Sequence, residues 1–473
     1  MFKNLEELKS YVEGNNIEML DFKITELNGR WRHLTVPAAR LSKEIFESGF
    51  GFDGSNYGYA TIEASDMIFI PDLSTAFLDP FWERPTLSFL GNIYEITDEG
   101  KKLFNQDART ILSRAVNKLK NTGIADQFII GPEFEFHIFD EIYFQNKANN
   151  SGYYINSRQA EWNNDNAGFK ISGDDGYHKD APHDLNRNIR SEISLAIENI
   201  GIDVKYHHHE VGGPGQHEIE VKMADALTLG DGTMKIKYLI KNIAHRHGKI
   251  ATFMPKPMYG EAGNGFHVHM QLFKNGKSIF AGPEDNYAGL SDIALNFMGG
   301  VLKHTPALMA LNAPSTNSYK RLVRGFEAPV VICFASSNRS AVIRIPGYAT
   351  APEKRRFEFR PGDASGNPYL NFASLLMAGL DGIEKKLDPI AMGMGPYDKN
   401  MYELSPNEAA KLTFLPQNLN ESLDALKNDH NFLLKDNVFT KELAFNWIDM
   451  KKEESKIINN YPHPKEFDYY LDI

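Results

Sequence analysis

Cysteine is almost absent: Cys333 is the single one in 473 residues. One thiol excludes a disulfide within the chain and a multi-cysteine zinc site, and it points to a reducing compartment. A positive excess is missing too. Lys and Arg number 51 against 62 Asp and Glu, a net charge of −11, which argues against general binding to nucleic acid or to an anionic membrane. No apolar run reaches the ~18 residues of a membrane span. The start, MFKNLEELKSYVEGNN, lacks the apolar core of a signal peptide, so the expectation is a cytosolic protein. The usual nucleotide signatures are also missing: there is no G-x-x-x-x-G-K-[ST], and no G-x-G-x-x-G after a strand. H-E-x-x-H and the G-x-S-x-G elbow do not occur either. GGPG at 212–215 reads as a turn. Any nucleotide site must be built from metal ions, arginines and loop backbone.

What is present is ordinary in bulk, with 42% hydrophobic and 24% charged residues. The length predicts roughly two or three domains at ~150 residues each, or one large catalytic unit. A short helix over 5–13 precedes a hairpin, DFKITELNGRWRHLTV, with Asn28-Gly29 as its turn. A Gly-, Ser- and Pro-rich loop then leads to a strand at MIFIPD. Asp107 reads as the N-cap of a helix closed by Gly123. The boundary falls near 104, which gives a small first domain (1–104) and a larger second one (105–473). In the second, strands are expected at 128–139, 216–222, 265–273, 341–345 and 356–360. Helices are expected at 184–200, 368–384, 406–413 and 437–459, the third opened by the capping box Ser405-Pro406-Asn407-Glu408. QLFKNGKSIF holds a second Asn-Gly hairpin. Glu141 to Pro182 is polar and reads as a long functional or mobile loop.

The strand-like segments share one oddity. GPEFEFHIF carries Glu133 and Glu135 two residues apart, and i and i+2 of a strand share a face. GQHEIEV repeats this with Glu218 and Glu220, and GFHVHMQL with His267 and His269. Glu358 lies in KRRFEFRPG, and Glu210 follows three histidines in YHHHEVGGPGQ. Taken singly, each pair is more simply read as a solvated strand face. Together they are hard to bury unpaired, and carboxylates with a little imidazole suit Mg²⁺ or Mn²⁺, with at least two ions for this many acids. Arginines form the second constellation: Arg321 and Arg324, Arg339 and Arg344, then Arg355, Arg356 and Arg360 around Glu358. Some can simply pair with the acids. Divalent metals together with arginines are also the equipment of phosphoryl transfer.

In order along the chain come GFDGSNYGY (51–59), GPEFEF (131–136), HHHEV and GQHEIE (207–220) and GNGFHVH (263–269). NSYKRLVRGFEAP (317–329), NRSAVIRIP (338–346) and RRFEFRPGDASGNPYLNFASLLMAGLDGI (355–383) follow. Over nearly its whole length the sequence resembles the type I glutamine synthetases. The resemblance implies an α+β protein with a small β-grasp-like N-terminal domain and a catalytic domain whose antiparallel strands form a funnel flanked by helices. It implies that ATP phosphorylates the γ-carboxylate of glutamate and that ammonia displaces the phosphate, a ligase reaction of nitrogen assimilation. Cofactors would be two or three Mg²⁺ or Mn²⁺ ions with ATP as co-substrate. The assembly implied is a homododecamer of two hexameric rings with active sites between subunits.

By the same resemblance Glu135, Glu210 and Glu218 hold the first metal, and Glu133, His267 and Glu358 the second. Asp53 binds ammonium across a subunit interface, Tyr177 completes that pocket, and Glu327 is a flap acid that shields the intermediate. Arg339 and Arg344 stabilise the transferring phosphate, His269 and Arg356 contact nucleotide, and Gly263, Arg321 and Arg360 hold glutamate. The chain departs from the family at Asn56, where a Ser is common, and at Ala262, where an Asn is usual; Asn264 is the candidate to compensate. Asp174-Asp175-Gly176-Tyr177-His178-Lys179 replaces the usual K-G-G-Y-F-P. The segment SGYYINSRQAEWNNDN resembles the longer, adenylylatable subgroup, and KNMYELSP puts Tyr402 at its modified tyrosine. Rival readings are a ligase for an organic amine, a non-catalytic relative, and a metal-binding scaffold. The presence of Asp53, Tyr177 and Glu327 favours ammonia over the first.

Overall fold

In the computed structural model, which describes residues 2–60, 62–163, 168–326 and 328–471, the first hairpin forms where its turn chemistry predicts. After α1 (Leu5–Gly14), β1 (Met19–Thr25) pairs antiparallel with β2 (Trp31–Pro37). Gly29 supplies the left-handed turn residue at φ 78°. Then come α2 (Lys43–Glu47), β3 (Phe50–Asp53), β4 (Asp66–Pro71), β5 (Phe77–Asp79), β6 (Thr86–Phe89), β7 (Gly91–Thr97) and β8 (Gly100–Leu103). They build two four-stranded sheets, β2-β1-β6-β5 and β3-β4-β7-β8, with β1 and β6 parallel. Phe22 packs on Phe50, Phe69 and Phe89 to join the sheets. This part is richer in strands than one helix with a small sheet.

Asp107 caps α3 (Ala108–Thr122) by accepting the Thr110 N–H at 3.1 Å, and Gly123 closes it at φ 68°. The larger part continues through β9 (Gln127–Phe139), β10 (Glu141–Lys147), β11 (Asn150–Asn156), α4 (Arg187–Asn199), β12 (Val204–His209), β13 (Gln216–Val221) and β14 (Ala224–Asp225). Next are α5 (Ala226–Arg246), β15 (Ile250–Thr252), β16 (Val268–Lys274), β17 (Lys277–Ser278), α6 (Asp292–Asn312) and α7 (Ser318–Arg321). The chain ends with β18 (Val331–Ser336), β19 (Ala341–Ile345), β20 (Phe357–Phe359), α8 (Pro368–Lys385), α9 (Pro406–Ala409), α10 (Leu419–Asn428), α11 (Asn431–Leu434), α12 (Lys441–Asn459) and α13 (Glu466–Tyr470). The central sheet runs β12-β13-β9-β16-β20-β19-β18. It is antiparallel as expected except at β18–β19, which is parallel. Helices α3 and α5 pack on β9, and α6 and α8 on each other.

Three expectations change. Glu141 to Pro182 is not wholly a loop, because its first part is the β10–β11 hairpin. The capping box is real, with Ser405 Oγ donating to Glu408 at 2.7 Å, but the helix stops at Ala409 instead of 413. Helices α5, α6 and α10 stand where none was expected. No helix among the described residues is long and apolar enough to cross a membrane.

The N-terminal sheets are tied to the larger part by a buried arginine. Arg109 donates to both Asp231 oxygens at 2.8 and 2.9 Å, to Asp72 at 2.9 Å and to Asn92 at 3.0 Å. A second tie joins α6, α8 and the end of α10: His304 sits between Asp381 at 2.9 Å and Asp429 at 2.6 Å, stacked on Phe432. Burial opposes the imidazolium, but hydrogen bonds to the two carboxylates outweigh it and raise His304 above its ordinary value. Lys385 and Lys435 face the same Asp381, whose carboxyl is held well below the carboxylate range, so it does not titrate near neutrality. A raised histidine contributes stability that is complete below its unfolded pKa of about 6.5 and is lost as pH rises through the folded value. The stability advantage of the wild type over His304→Gln should therefore shrink between pH 6 and pH 9. Urea melts at the two pH values check this.

Candidate active site

Strand register assembles the site. Across β13 and β9, Glu218 lies opposite Glu135 and Glu220 opposite Glu133, so the i, i+2 pairs of two neighbouring strands share one face. On the next strand out, His208 of β12 faces Glu218 and Tyr206 faces Glu220. On the other side His269 of β16 pairs with Glu358 of β20, and Glu358 with Arg344 of β19. One row across the sheet thus carries a histidine, acids, a histidine, an acid and an arginine, and all of it except His269 lines a cavity of about 1020 Å³.

The cavity brings together most of the residues singled out in the sequence. Glu133, Glu135, Tyr177, Glu210, Glu218, Gly263, His267, Arg321, Arg339, Arg344, Glu358 and Arg360 all line it. His269 lies behind the wall, its Nε2 2.8 Å from a Glu133 oxygen, while the other Glu133 oxygen is 3.0 Å from His267 Nδ1. Burial opposes the Glu133 carboxylate, yet these two rings outweigh it and hold it well below the usual range. Glu358 accepts from Arg344 at 2.8 Å and from Arg360 Nε at 3.1 Å. Arg360 also donates to the Arg339 carbonyl, and Arg321 donates to the carbonyls of Arg360 and Gly362 at 3.2 and 2.9 Å. The guanidinium groups are therefore braced against each other's backbone.

Two donor groups that include a histidine stand beside an all-carboxylate one of Glu133, Glu218 and Glu220. Glu133, His267 and Glu358 each offer an atom within 4.8 Å of the others, as do His208, Glu210 and Glu218. The first is the trio expected for the second metal. The other contains His208 where Glu135 was expected; Glu135 lines the same cavity and accepts the Gly265 N–H at 2.6 Å. Burial pushes the His208 ring down to about 4, so it offers a neutral lone pair at pH 7. Burial and then the charges of Glu133, Glu210, Glu135 and Glu220 push Glu218 well above the carboxylate range. Crowded carboxylates with one imidazole in each group fit hard divalent cations and would be relieved by them. Glu220 is already engaged, by Lys205 at 2.5 Å and by the Tyr206 hydroxyl.

Other residues are placed differently. Asp53 is exposed and lies outside the cavity of its own chain; it accepts from Ser55 at 2.6 Å and Asn56 at 2.6 Å. Arg356 does not line the cavity itself, but its guanidinium lies over the ring of Tyr348, which does. Asn264 is fully buried, its side chain engaged with His137 at 2.9 Å, Gln216 at 3.3 Å and the Met254 carbonyl at 2.9 Å. It props the 263–265 turn and has no amide to offer a ligand, so the contact missing at Ala262 is not restored by this side chain. Tyr402 is half-buried and donates to the Ala328 carbonyl at 2.8 Å. Glu327 lies outside the described residues.

Gly176 shows how tightly the Tyr177 turn lies on the segment that carries Glu210. Its N–H donates to the Val211 carbonyl at 3.0 Å, and a Cβ there would sit 2.3 Å from the Glu210 carbonyl. Gly176→Ala must push Glu210 aside, which should lower divalent-metal affinity about 10–100-fold, the range for displacing what supports a ligand. Metal titration of turnover measures it.

Comparisons with known proteins agree with this geometry. Residues 105–470 match the family of the glutamine synthetase catalytic domain, and residues 16–96 that of the glutamine synthetase beta-grasp domain. A glutamine synthetase of Pseudomonas aeruginosa is 45% identical over 471 residues, 98% of each chain. One of Aquifex aeolicus is 43% identical over 472 residues, 99% of each chain. A 3-hydroxylaminophenol mutase of Cupriavidus pinatubonensis is 42% identical over 480 residues, all of both chains. Among solved structures, Plasmodium falciparum glutamine synthetase superposes with a TM-score of 0.89 at 31% identity, covering 99% of each chain. With both domain families matched and relatives similar from end to end, the chain belongs to the glutamine synthetase family.

Proposed function

We propose that the protein joins ammonia to the γ-carboxylate of L-glutamate at the cost of ATP, giving L-glutamine, ADP and phosphate. The observation that carries this reading is the row of side chains across β12, β13, β9, β16, β20 and β19, where two acid-rich donor groups face arginines in one cavity. Two cations, Mg²⁺ or Mn²⁺, are assigned to that row, one to Glu210 and Glu218 with Glu135 and one to Glu133, His267 and Glu358. When bound they neutralise phosphate oxygens and lower the charge that opposes attack.

The chain's own groups do the rest. Arg321 and Arg360, with the Gly263 backbone, hold glutamate so that a γ-carboxylate oxygen faces the terminal phosphorus of ATP. His269 and Arg356 are assigned to the nucleotide end. That oxygen forms the new P–O bond, the bond to ADP breaks, and Arg339 and Arg344 stabilise the charge on the transferring group. Arg344 is set for this by its ion pair with Glu358. Ammonia then attacks the acyl carbon of γ-glutamyl phosphate, phosphate leaves, and Glu327 takes the surplus proton while shielding the intermediate from water. Asp53 is assigned to a neighbouring subunit's site, where it and Tyr177 receive ammonium and its carboxylate takes the proton that frees ammonia. Its exposed position, outside the lining of its own chain's cavity, supports a role between subunits; the assembly we assign is a dodecamer of two hexameric rings. We place the domain division at 104/105 and the protein in the cytoplasm. Tyr402 is the candidate for adenylylation.

Phosphate release with Mg²⁺, ATP and glutamate, measured with ammonium, then with ethanolamine and then with putrescine, tests the reading. Release that matches glutamine formed with ammonium supports it. Release only with an organic amine would replace ammonia as the nitrogen donor.

A further inference from the structure

His178 is one of the few non-glycine residues in the left-handed backbone region, at φ 58°. Strain of this kind persists only where the surroundings enforce it, and it gathers at functional sites. Here the turn is pinned to the metal-ligand segment. The His178 N–H donates to the His209 carbonyl at 3.0 Å, one residue before Glu210. The left-handed bend brings the adjacent rings of Tyr177 and His178 face to face, 4.0 Å apart at 15°. His208 meets both rings edge-on, at 5.4 Å from Tyr177 and 4.6 Å from His178. Tyr177 is otherwise poorly confined, at 46% exposed. Its polar surroundings are Arg339, which hydrogen-bonds it, and the carboxylates of Glu210 and Glu218.

We propose that His178 is a positioning residue of the amine pocket: its ring, stacked on Tyr177 in a strained turn, fixes the Tyr177 side chain beside Arg339 and the Glu210 segment. The inference rests on the ammonia-ligase reading above. It concerns the ring and its place. Face-to-face stacking needs a flat side chain at 178, so phenylalanine should serve as well as histidine.

Two variants separate positioning from support of the fold. His178→Gly removes the ring and also the reason for strain, because glycine accepts this backbone freely. Its melting temperature should hold or rise, while KM for ammonium rises about tenfold, the order that an aromatic pair is worth. KM for ATP and for glutamate should stay within about twofold on the same scale. His178→Phe should restore KM for ammonium. Unchanged KM for ammonium in His178→Gly would overturn the proposal, as would a parallel loss in all three KM values with a fall in melting temperature. A phenylalanine variant as impaired as the glycine one would also overturn it. A wild-type enzyme that makes no glutamine from ammonium would instead defeat the reading of the reaction, which the wild-type control in the same assay reveals.

Discussion

Glu358→Gln should reduce kcat about 10²–10³-fold, the cost of removing one fixed charge-stabilising group from a phosphoryl-transfer site. Glu358 is the hub of the row: Arg344 at 2.8 Å, Arg360 at 3.1 Å and His267 at 3.5 Å all turn to it. The amide keeps the size but not the charge. A cation would lose one of its anionic donors, and two guanidinium groups would lose the carboxylate that aims them. Burial and the charge of Glu133 oppose ionisation of Glu358, but Arg360, His269 and His267 outweigh them and hold it below its ordinary value, so the variant should also give up some stability. The result is read as a drop in kcat with weaker Mn²⁺ activation and an unchanged near-ultraviolet dichroism spectrum. Full turnover in Glu358→Gln would take the residue out of the machinery.

Arg109→Met should cost about 3–5 kcal/mol in urea denaturation, the penalty for stranding buried charges by removing their partner. Its guanidinium holds Asp231 by two bonds, and Tyr369 adds a third to the same carboxylate at 2.8 Å. Asp72 is one-third exposed, so solvent screens its share. Most of the loss therefore falls on Asp231, and replacing both partners, Arg109→Met with Asp231→Leu, should recover much of it. The pairing joins the N-terminal sheets to α5. Local loosening there should precede global unfolding, which hydrogen exchange in β4 and β7 would register.

The acids were legible in the sequence because a strand has period two. Glu133 with Glu135 and Glu218 with Glu220 had to share faces, and burial of their apolar neighbours set which strands were central. Register was not legible. Nothing local says that Glu218 opposes Glu135, or that the histidine run is a strand whose His208 joins Glu210 and Glu218. The alternation Tyr206, His208 beside Glu220, Glu218 was the available signal. The missed helices have physical reasons. Helix α6 is buried almost all round and contains Pro306, so it has no polar stripe to show a period of 3.6. Helix α5 carries Gly230 and Gly232 early, which read as breakers, though each is packed against a neighbour. The hairpin at 141–156 exposes Tyr143, Phe144, Tyr153 and Tyr154; with no buried face it shows no alternation to distinguish it from a loop. Asn264, the candidate to stand in for the usual Asn at 262, has partners that no local pattern announces, because they come from β9 and from Gln216, distant in sequence.

Transfer of a glutamate oxygen to phosphate tests the central claim most directly. Glutamate labelled with ¹⁸O in its γ-carboxylate is turned over with ATP, ammonium and Mg²⁺, and the released phosphate is analysed by mass. The account predicts one labelled oxygen in each phosphate, because the carboxylate attacks phosphorus and the C–O bond later breaks, and it predicts that a chelator stops release. Unlabelled phosphate, or release that persists with the chelator, would contradict it.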